Sequence, residues 1–217
     1  MLEPSSFIIC AIIVTVACQY FVPDLVMFFW ALVVTYGKGK DKNIDAFKGE
    51  RIFSIVYPSD IDLNSHMNNA RYIRLLNYCR RSFFTSIGVW EIARKHNLNM
   101  IVAAQSIRYR RELTLFKRYS INTRIVSFSD DDADRCFFVE TRFEDLSGFV
   151  CAIHHTKYKI VGANLSCARP GFLLQCAGAI AKNAKLEDYS PNGFVQLWEK
   201  ANMSSSLELN PKKKYNH

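Results

Sequence analysis

The sequence has no C-x-x-C pair and no regular cysteine spacing, although it holds seven cysteines, at positions 10, 18, 79, 136, 151, 167 and 176. An odd, irregular set excludes a disulfide framework and a structural zinc site, and reads as reduced thiols in a domain facing the cytosol. There is no G-x-S-x-G elbow and no P-loop, which sets aside serine-hydrolase and P-loop phosphate chemistry. There is no internal repeat and no low-complexity tract. No nucleic-acid recognition motif accompanies the net charge of +8. The cations are dispersed (Lys38, Lys40 and Lys42; Arg108, Arg110, Arg111, Lys117 and Arg118; Lys212 to Lys214), so nucleic acid is not an expected partner.

What is present is ordinary globular composition: 217 residues, 49% hydrophobic and 22% charged, enough for one domain with appendages. Residues 7 to 36 are overwhelmingly apolar, broken by Gln19, Pro23 and Asp24. Phe7 to Val22 supplies 16 residues and Leu25 to Tyr36 another 12, against the roughly 20 that a bilayer span needs. A cleaved signal peptide would want a basic start, and this chain starts Met-Leu-Glu-Pro with its bases after the apolar stretch. The expectation is therefore a membrane anchor over 1–36 with the rest of the chain in the cytosol, endoplasmic reticulum being the suggested membrane. Secretion is the alternative if the N-terminus is cleaved. The sequons at Asn164 and Asn202 carry weight in that case alone.

Residues 37–50 read as a short polar connector. Arg51 to Tyr57 is a β-rich run stopped by Pro58, and 58–69 is rich in Asp, Asn and Ser, a loop composition. From Ala70 to Ile87 the period changes. Tyr72, Leu76, Cys79, Phe83 and Ile87 recur at helical spacing, Ile73 and Phe84 widen that face, and Arg71, Arg74, Arg80 and Arg81 lie mostly off it. This predicts an amphipathic helix of about five turns ended by Gly88, with a shorter helical piece over Val89 to His96. Four β-like runs follow, roughly Met100 to Leu113, Arg118 to Phe128, Arg135 to Glu144 and Phe149 to Val161, which read as an antiparallel meander. One long helix with an apolar face needs a sheet to cover it. The predicted class is α+β: a curved antiparallel sheet wrapped round one long helix. Pro170 to Lys182 and Phe194 to Ala201 read as helical, and the last dozen residues as loose.

The chemistry concentrates in Asp60-Ile-Asp62-Leu-Asn64-Ser-His66-Met-Asn68-Asn69-Ala-Arg-Tyr72, between a strand and the start of the long helix. A helix N-terminus offers unpaired N–H groups and partial positive charge, suited to an acyl oxygen gaining negative charge. A nearby carboxylate can attack, or activate water. Capping and turn-making alone account for Asn68 and Asn69 about as well. They do not call for Asp62, Asn64 and His66 at alternating positions, which in an extended loop point the same way. His154 and His155 fall on opposite faces of one strand, and no metal site is expected.

The pattern Asp62-x-Asn64-x-His66-x-Asn68-Asn69 followed by Tyr72 resembles the signature of hotdog-fold acyl thioesterases, close to acyl-carrier-protein thioesterases and to the 4-hydroxybenzoyl-CoA thioesterase group. The apolar N-terminus, the motif, a Val-Ala-Ala stretch, an Arg-Arg strand and a Trp-containing tail together resemble an animal branch of that superfamily. The resemblance implies a hotdog domain over 51–165, with 166–217 as a helical extension and tail. It implies hydrolysis of an acyl thioester of coenzyme A or a carrier protein, with no metal or redox cofactor, in a homodimer. It further implies Asp62 as base or nucleophile, assisted by Asn64 and His66, with Asn68, Asn69 and Tyr72 at the substrate. The departure is Arg108, which stands where the plant enzymes carry a glutamate. An arginine cannot act as a base, although it can hold a phosphate. Glu112 replaces that acid only if the register shifts. The departure leaves a non-catalytic protein that binds lipid or acyl thioester, or scaffolds membrane proteins, as the alternative.

Overall fold

The computed structural model describes residues 40–41, 44–132, 134–162, 167–180 and 193–209, plus Val14, Leu25 and Phe29. The expected N-terminal anchor and the end of the tail lie outside the described residues, apart from those three positions. Among the described residues no helix is long and apolar enough to cross a membrane.

Strand β1 (Glu50–Ile55) leads into a short 3-10 turn at Pro58–Asp60, then helix α1 (Asn69–Ser86) and helix α2 (Val89–Lys95). Four strands follow: β2 (Leu98–Tyr109), β3 (Arg118–Ser129), β4 (Cys136–Asp145) and β5 (Val150–Gly162). Helices α3 (Pro170–Cys176) and α4 (Gly193–Leu209) complete the order. The strands form one antiparallel sheet in the order β1-β3-β4-β5-β2. The sheet curls around α1, which is the hotdog arrangement. It is not a simple meander. Only β3, β4 and β5 are joined hairpin to hairpin; β2 and β1 occupy opposite edges, so the chain crosses from one edge to the other between β2 and β3.

The helix forms where the 3.6-residue period placed it. Tyr72, Leu76, Cys79, Phe83, Phe84 and Ile87 are all buried, and Ile73 is exposed. Gly88 terminates it at φ +80°, a left-handed conformation that glycine adopts without strain. The N-terminal half of α1 packs on Val56, Met67, Leu113, Tyr119, Ile121 and Phe143. Its C-terminal half packs on Phe128, Phe137, Tyr158 and Ile160, with α2 and α3 closing that end. Part of the connector assigned to 37–50 also belongs to this body. Ala46 is fully buried, its carbonyl accepts the Ile125 N–H at 2.9 Å, and the Asp41 N–H bonds Ser86 O at 2.9 Å.

Candidate active site

The segment between β1 and α1 is a tight turn rather than an extended loop. Ile61 pairs with Met67, the Asp62 N–H donates to His66 O at 3.1 Å, and the Ser65 N–H donates to Asp62 O at 3.1 Å. Ser65 completes the reversal at φ 62°. The turn is stitched to the chain beyond β2 by a His66–Thr114 bridge and by the Met67 N–H to Leu113 O at 2.9 Å. Asp60 is its scaffold. Its side chain accepts the Tyr57 N–H at 3.0 Å, its carbonyl accepts the Asn68 N–H at 2.8 Å, and Arg71 lies 3.7 Å away. Burial raises the Asp60 carboxyl pKa against the pull of the Tyr57 amide and of Arg71 and Arg74.

This geometry brings Asp62 and His66 together and separates Asn64 from them. His66 Nδ1 lies 3.4 Å from Asp62 Oδ1 and 3.2 Å from the Asn64 carbonyl. Asn64 contributes its backbone: its N–H donates to Asp62 Oδ1 at 2.8 Å, and its side chain is exposed at the tip. The Asn64 carbonyl as acceptor at Nδ1, with the Asp62 carboxylate beside it, favours the Nδ1–H tautomer and leaves Nε2 without a proton.

At the helix start Asn68 is the N-cap. Its Oδ1 accepts the Ala70 N–H at 2.8 Å and its carbonyl the Arg71 N–H at 2.9 Å. The Asn69 N–H has no backbone acceptor among the described residues, while the Asn69 carbonyl takes the Tyr109 hydroxyl at 3.2 Å. Tyr72 is 2% exposed, edge-on to Tyr109 at 5.2 Å and to Phe143 at 4.9 Å between ring centres, and burial raises its phenol pKa. A cleft of about 210 Å³ opens here. His66, Met67, Asn69 and Tyr72 form one wall; Tyr109, Arg110, Arg111 and Glu112 form the other.

Arg108 does not line this cleft. It pairs with Ile153 and is exposed, on the face of β2 opposite Ile107, which packs into the core. Alternation on a strand gives the inward position to Tyr109 instead. Glu112 enters through a strand end rather than a register shift. β2 stops at Tyr109, and the Arg110 and Arg111 N–H groups both bond Cys151 O, at 2.8 and 3.1 Å. The resulting bend turns residues 110–112 along the cleft wall.

Elsewhere, His154 and His155 point to opposite faces. His154 Nδ1 meets Thr156 Oγ1 at 3.1 Å in the core, and burial pushes its pKa down to about 3. His155 Nε2 meets Glu140 at 3.3 Å on the outer face, where its ring lies 4.3 Å from that of Phe194. Asp134, Cys136 and Glu199 bring donor atoms within 4.8 Å of one another, yet the Lys157 ammonium bonds both carboxylates and occupies the space between them. None of these residues lines the cleft.

The surroundings of this cleft have relatives. Residues 56–170 match a family model described as the thioesterase-like superfamily. Protein THEM6 of Xenopus laevis is 32% identical over 180 residues, covering 82% of this chain and 81% of that one. Protein THEM6 of Danio rerio is 38% identical over 103 residues, 47% of this chain and 49% of that one. Among solved structures, YbaW, a probable thioesterase of Escherichia coli, superposes with a TM-score of 0.52 at 19% identity, covering 61% of this chain and 98% of that one, a likeness of fold. With the family pattern spanning both walls of the cleft and more than half of the sequence, this chain belongs to the thioesterase-like superfamily.

Proposed function

We propose that the chain is a membrane-anchored acyl-thioester hydrolase in which His66, held by Asp62, is the general base. The observation that carries this is the Asp62–His66 pair at 3.4 Å, with His66 on the cleft wall beside the start of α1. Asp62 itself is not among the cleft-lining residues, so the roles suggested by the bare motif change places. The carboxylate and the Asn64 carbonyl hold the imidazole through Nδ1. Nε2 takes a proton from water as its oxygen attacks the thioester carbon. The oxygen of the tetrahedral intermediate lies at the Asn69 amide and the positive end of α1. The C–S bond then breaks, and the imidazolium returns the proton to the leaving thiolate. Met67 and Tyr72, both buried, make the wall beside His66 apolar, and Glu112 on the opposite wall is the carboxylate that lines the cleft.

A homodimer completes the reading. β2 is an edge strand of 12 residues, with Ile101 48% and Val102 44% exposed. An unpaired edge of that length is a template for another strand, and a second copy supplies one. The apolar segment 7–36, followed by Lys38, Lys40 and Lys42, supports attachment to a membrane with the domain on the cytosolic side.

The test is thiol release by the full chain from acyl-CoAs of graded chain length. His66→Gln and Asp62→Asn are each expected to lower kcat/KM by roughly 10²–10³. Folded protein that releases no thiol refutes the hydrolase and leaves a binding or scaffolding role, and a His66→Gln variant with full activity refutes His66 as the base.

A further inference from the structure

The chain enters the folded body at Lys40 and Asp41, and both are held there. The Asp41 N–H donates to Ser86 O at 2.9 Å, and the Lys40 ammonium donates to the Ala177 carbonyl with its stem against Gly88. The apolar run 7–36 stops four residues before Lys40. Four residues of fully extended chain reach at most about 14 Å. Whatever surface holds the apolar run therefore lies no further than that from one end of the domain, the end built by α2, α3 and residues 177–180.

That end is half apolar and basic. Trp90 and Ile92 on α2, Phe172 on α3 and Ile180 beyond it are each half-buried. They pack inward on the core around Phe83 and Leu173 and leave the rest of their area facing out. The two helices meet at His96, whose ring stands edge-on to Phe172 at 5.4 Å between centres. Cations surround these side chains. The Arg81 guanidinium lies 5.3 Å from the Trp90 ring centre, and Arg94 is exposed one turn after Trp90. Glu91 takes Lys95 at 2.8 Å, whereas Lys40, Arg81 and Arg94 make no ion pair among the described residues. Two donors, Trp90 Nε1 and Arg81 Nε, also lack an acceptor.

This combination suits the headgroup layer of a bilayer. That layer takes the amphipathic ring of a tryptophan, offers ester and phosphate oxygens to unmatched donors and, where its lipids are anionic, supplies the counter-charge. It is about 5–7 Å deep on each side of the hydrocarbon, so the four-residue tether brings it to this end. An acidic protein would satisfy the cations, but the tether brings lipid here whether or not such a protein is present. A second copy of the chain would set cation against cation.

We infer that this end of the domain, α2 with Lys40, Arg81, Phe172 and Ile180, lies on the headgroup layer of the bilayer that holds residues 7–36 and binds its anionic lipids. The inference rests on the membrane-anchor reading above and adds to it a second, charge-dependent contact made by the folded domain.

The experiment reconstitutes the full chain into vesicles of phosphatidylcholine alone, or with phosphatidylserine at about one lipid in four, the acyl chains brominated near the ester. Trp30→Phe and Trp198→Phe leave Trp90 as the sole indole of the three. Its emission should be quenched by brominated lipid when phosphatidylserine is present, and the quenching should be lost at high salt. Lys40→Gln/Arg94→Gln should also lose the quenching while the chain still floats with the vesicles. Arg118→Gln, in the basic cleft that Arg111, Lys117 and Arg118 line beside the active site, should be quenched as the parent is. A folded chain that floats with the vesicles yet shows no quenching, equal quenching in the two lipids, or quenching unchanged in the double variant overturns the inference and leaves the anchor standing. Trp90 shielded by a second copy of the chain gives the first of these results. Failure of the anchor reading has a different signature: a chain that floats with neither kind of vesicle, and the inference falls with it.

Discussion

Arg80 is a charged residue of α1 with no exposed surface. Its Nε donates to Leu76 O at 3.0 Å, Nη1 to Thr156 Oγ1 at 2.6 Å and Nη2 to Asn77 Oδ1 at 2.6 Å, and its guanidinium lies 5.3 Å from the Tyr158 ring centre. All three acceptors are neutral, and burial lowers the arginine's pKa. A buried cation held by neutral groups forfeits hydration without a counter-charge in return. Arg80→Met replaces it with a side chain of similar reach and orphans nothing. Leu76 O keeps its helical bond, Thr156 keeps His154, and Asn77 is exposed. The variant should gain about 1–3 kcal/mol, whereas Arg80→Ala, which leaves a cavity, should lose about 2–4 kcal/mol. The substitution also changes the response to acid. Burial first, then Arg80 and His155, hold the His154 pKa at about 3, below its ordinary 6.5. Between those values the unfolded chain binds the proton that the folded chain refuses. Neutral His154 thus contributes stability fully above pH 6.5, and the contribution is lost as pH falls toward 3. Without Arg80 the folded pKa rises, the gap narrows, and less stability disappears between pH 7 and 4. Glu140, with its pKa down at about 2 against the effect of burial through His155, Arg124 and Arg142, adds acid loss below 4.5 in both proteins. Urea unfolding followed by circular dichroism at pH 7 and pH 4.5 reads both effects. A variant less stable than the parent at pH 7, or one with an unchanged pH dependence, refutes the reasoning.

Three further substitutions test the backbone. Gly49→Ala places a Cβ 2.5 Å from Thr123 O at φ +93° and should cost about 2 kcal/mol or more; Gly148→Ala, at φ +83° with nothing within 4 Å, should cost about 1 kcal/mol, and thermal unfolding compares the two. Asn68→Ala removes the cap on Ala70 and should cost about 1 kcal/mol in urea unfolding, together with a loss of thiol release as the helix start frays.

The fold was legible because its signals are local. The period of Tyr72, Leu76, Cys79, Phe83 and Ile87 marks α1 to within a residue at each end, and Gly88 marks its stop. Strand neighbours were not legible, since alternation sets which face is buried and says nothing of which edge β2 joins. Arg80 was misplaced for a related reason. It stands four residues after Leu76, at the border of the apolar face, and only its long stem and neutral acceptors let it turn inward. In the site, the turn 61–67 followed from backbone bonding and the αL conformation of Ser65, which residue types at alternating positions did not reveal. Glu112 reached the cleft through a strand end, and β-propensity had carried that strand on to Leu113. The basic cleft at Lys117 and Arg118 draws on two turns about 30 residues apart, a proximity that follows from the β3–β4 pairing.

The attachment of Asp41 to Ser86 has a geometric consequence. It pins the point where the chain enters the body to the C-terminal end of α1, while His66 and Asn69 lie at the other end. Eighteen residues of helix separate the two by roughly 27 Å. α1 therefore acts as a stand-off. A surface that grips the N-terminal segment meets the domain from the rear, and a water-borne thioester approaching the mouth comes from the side facing away from that grip.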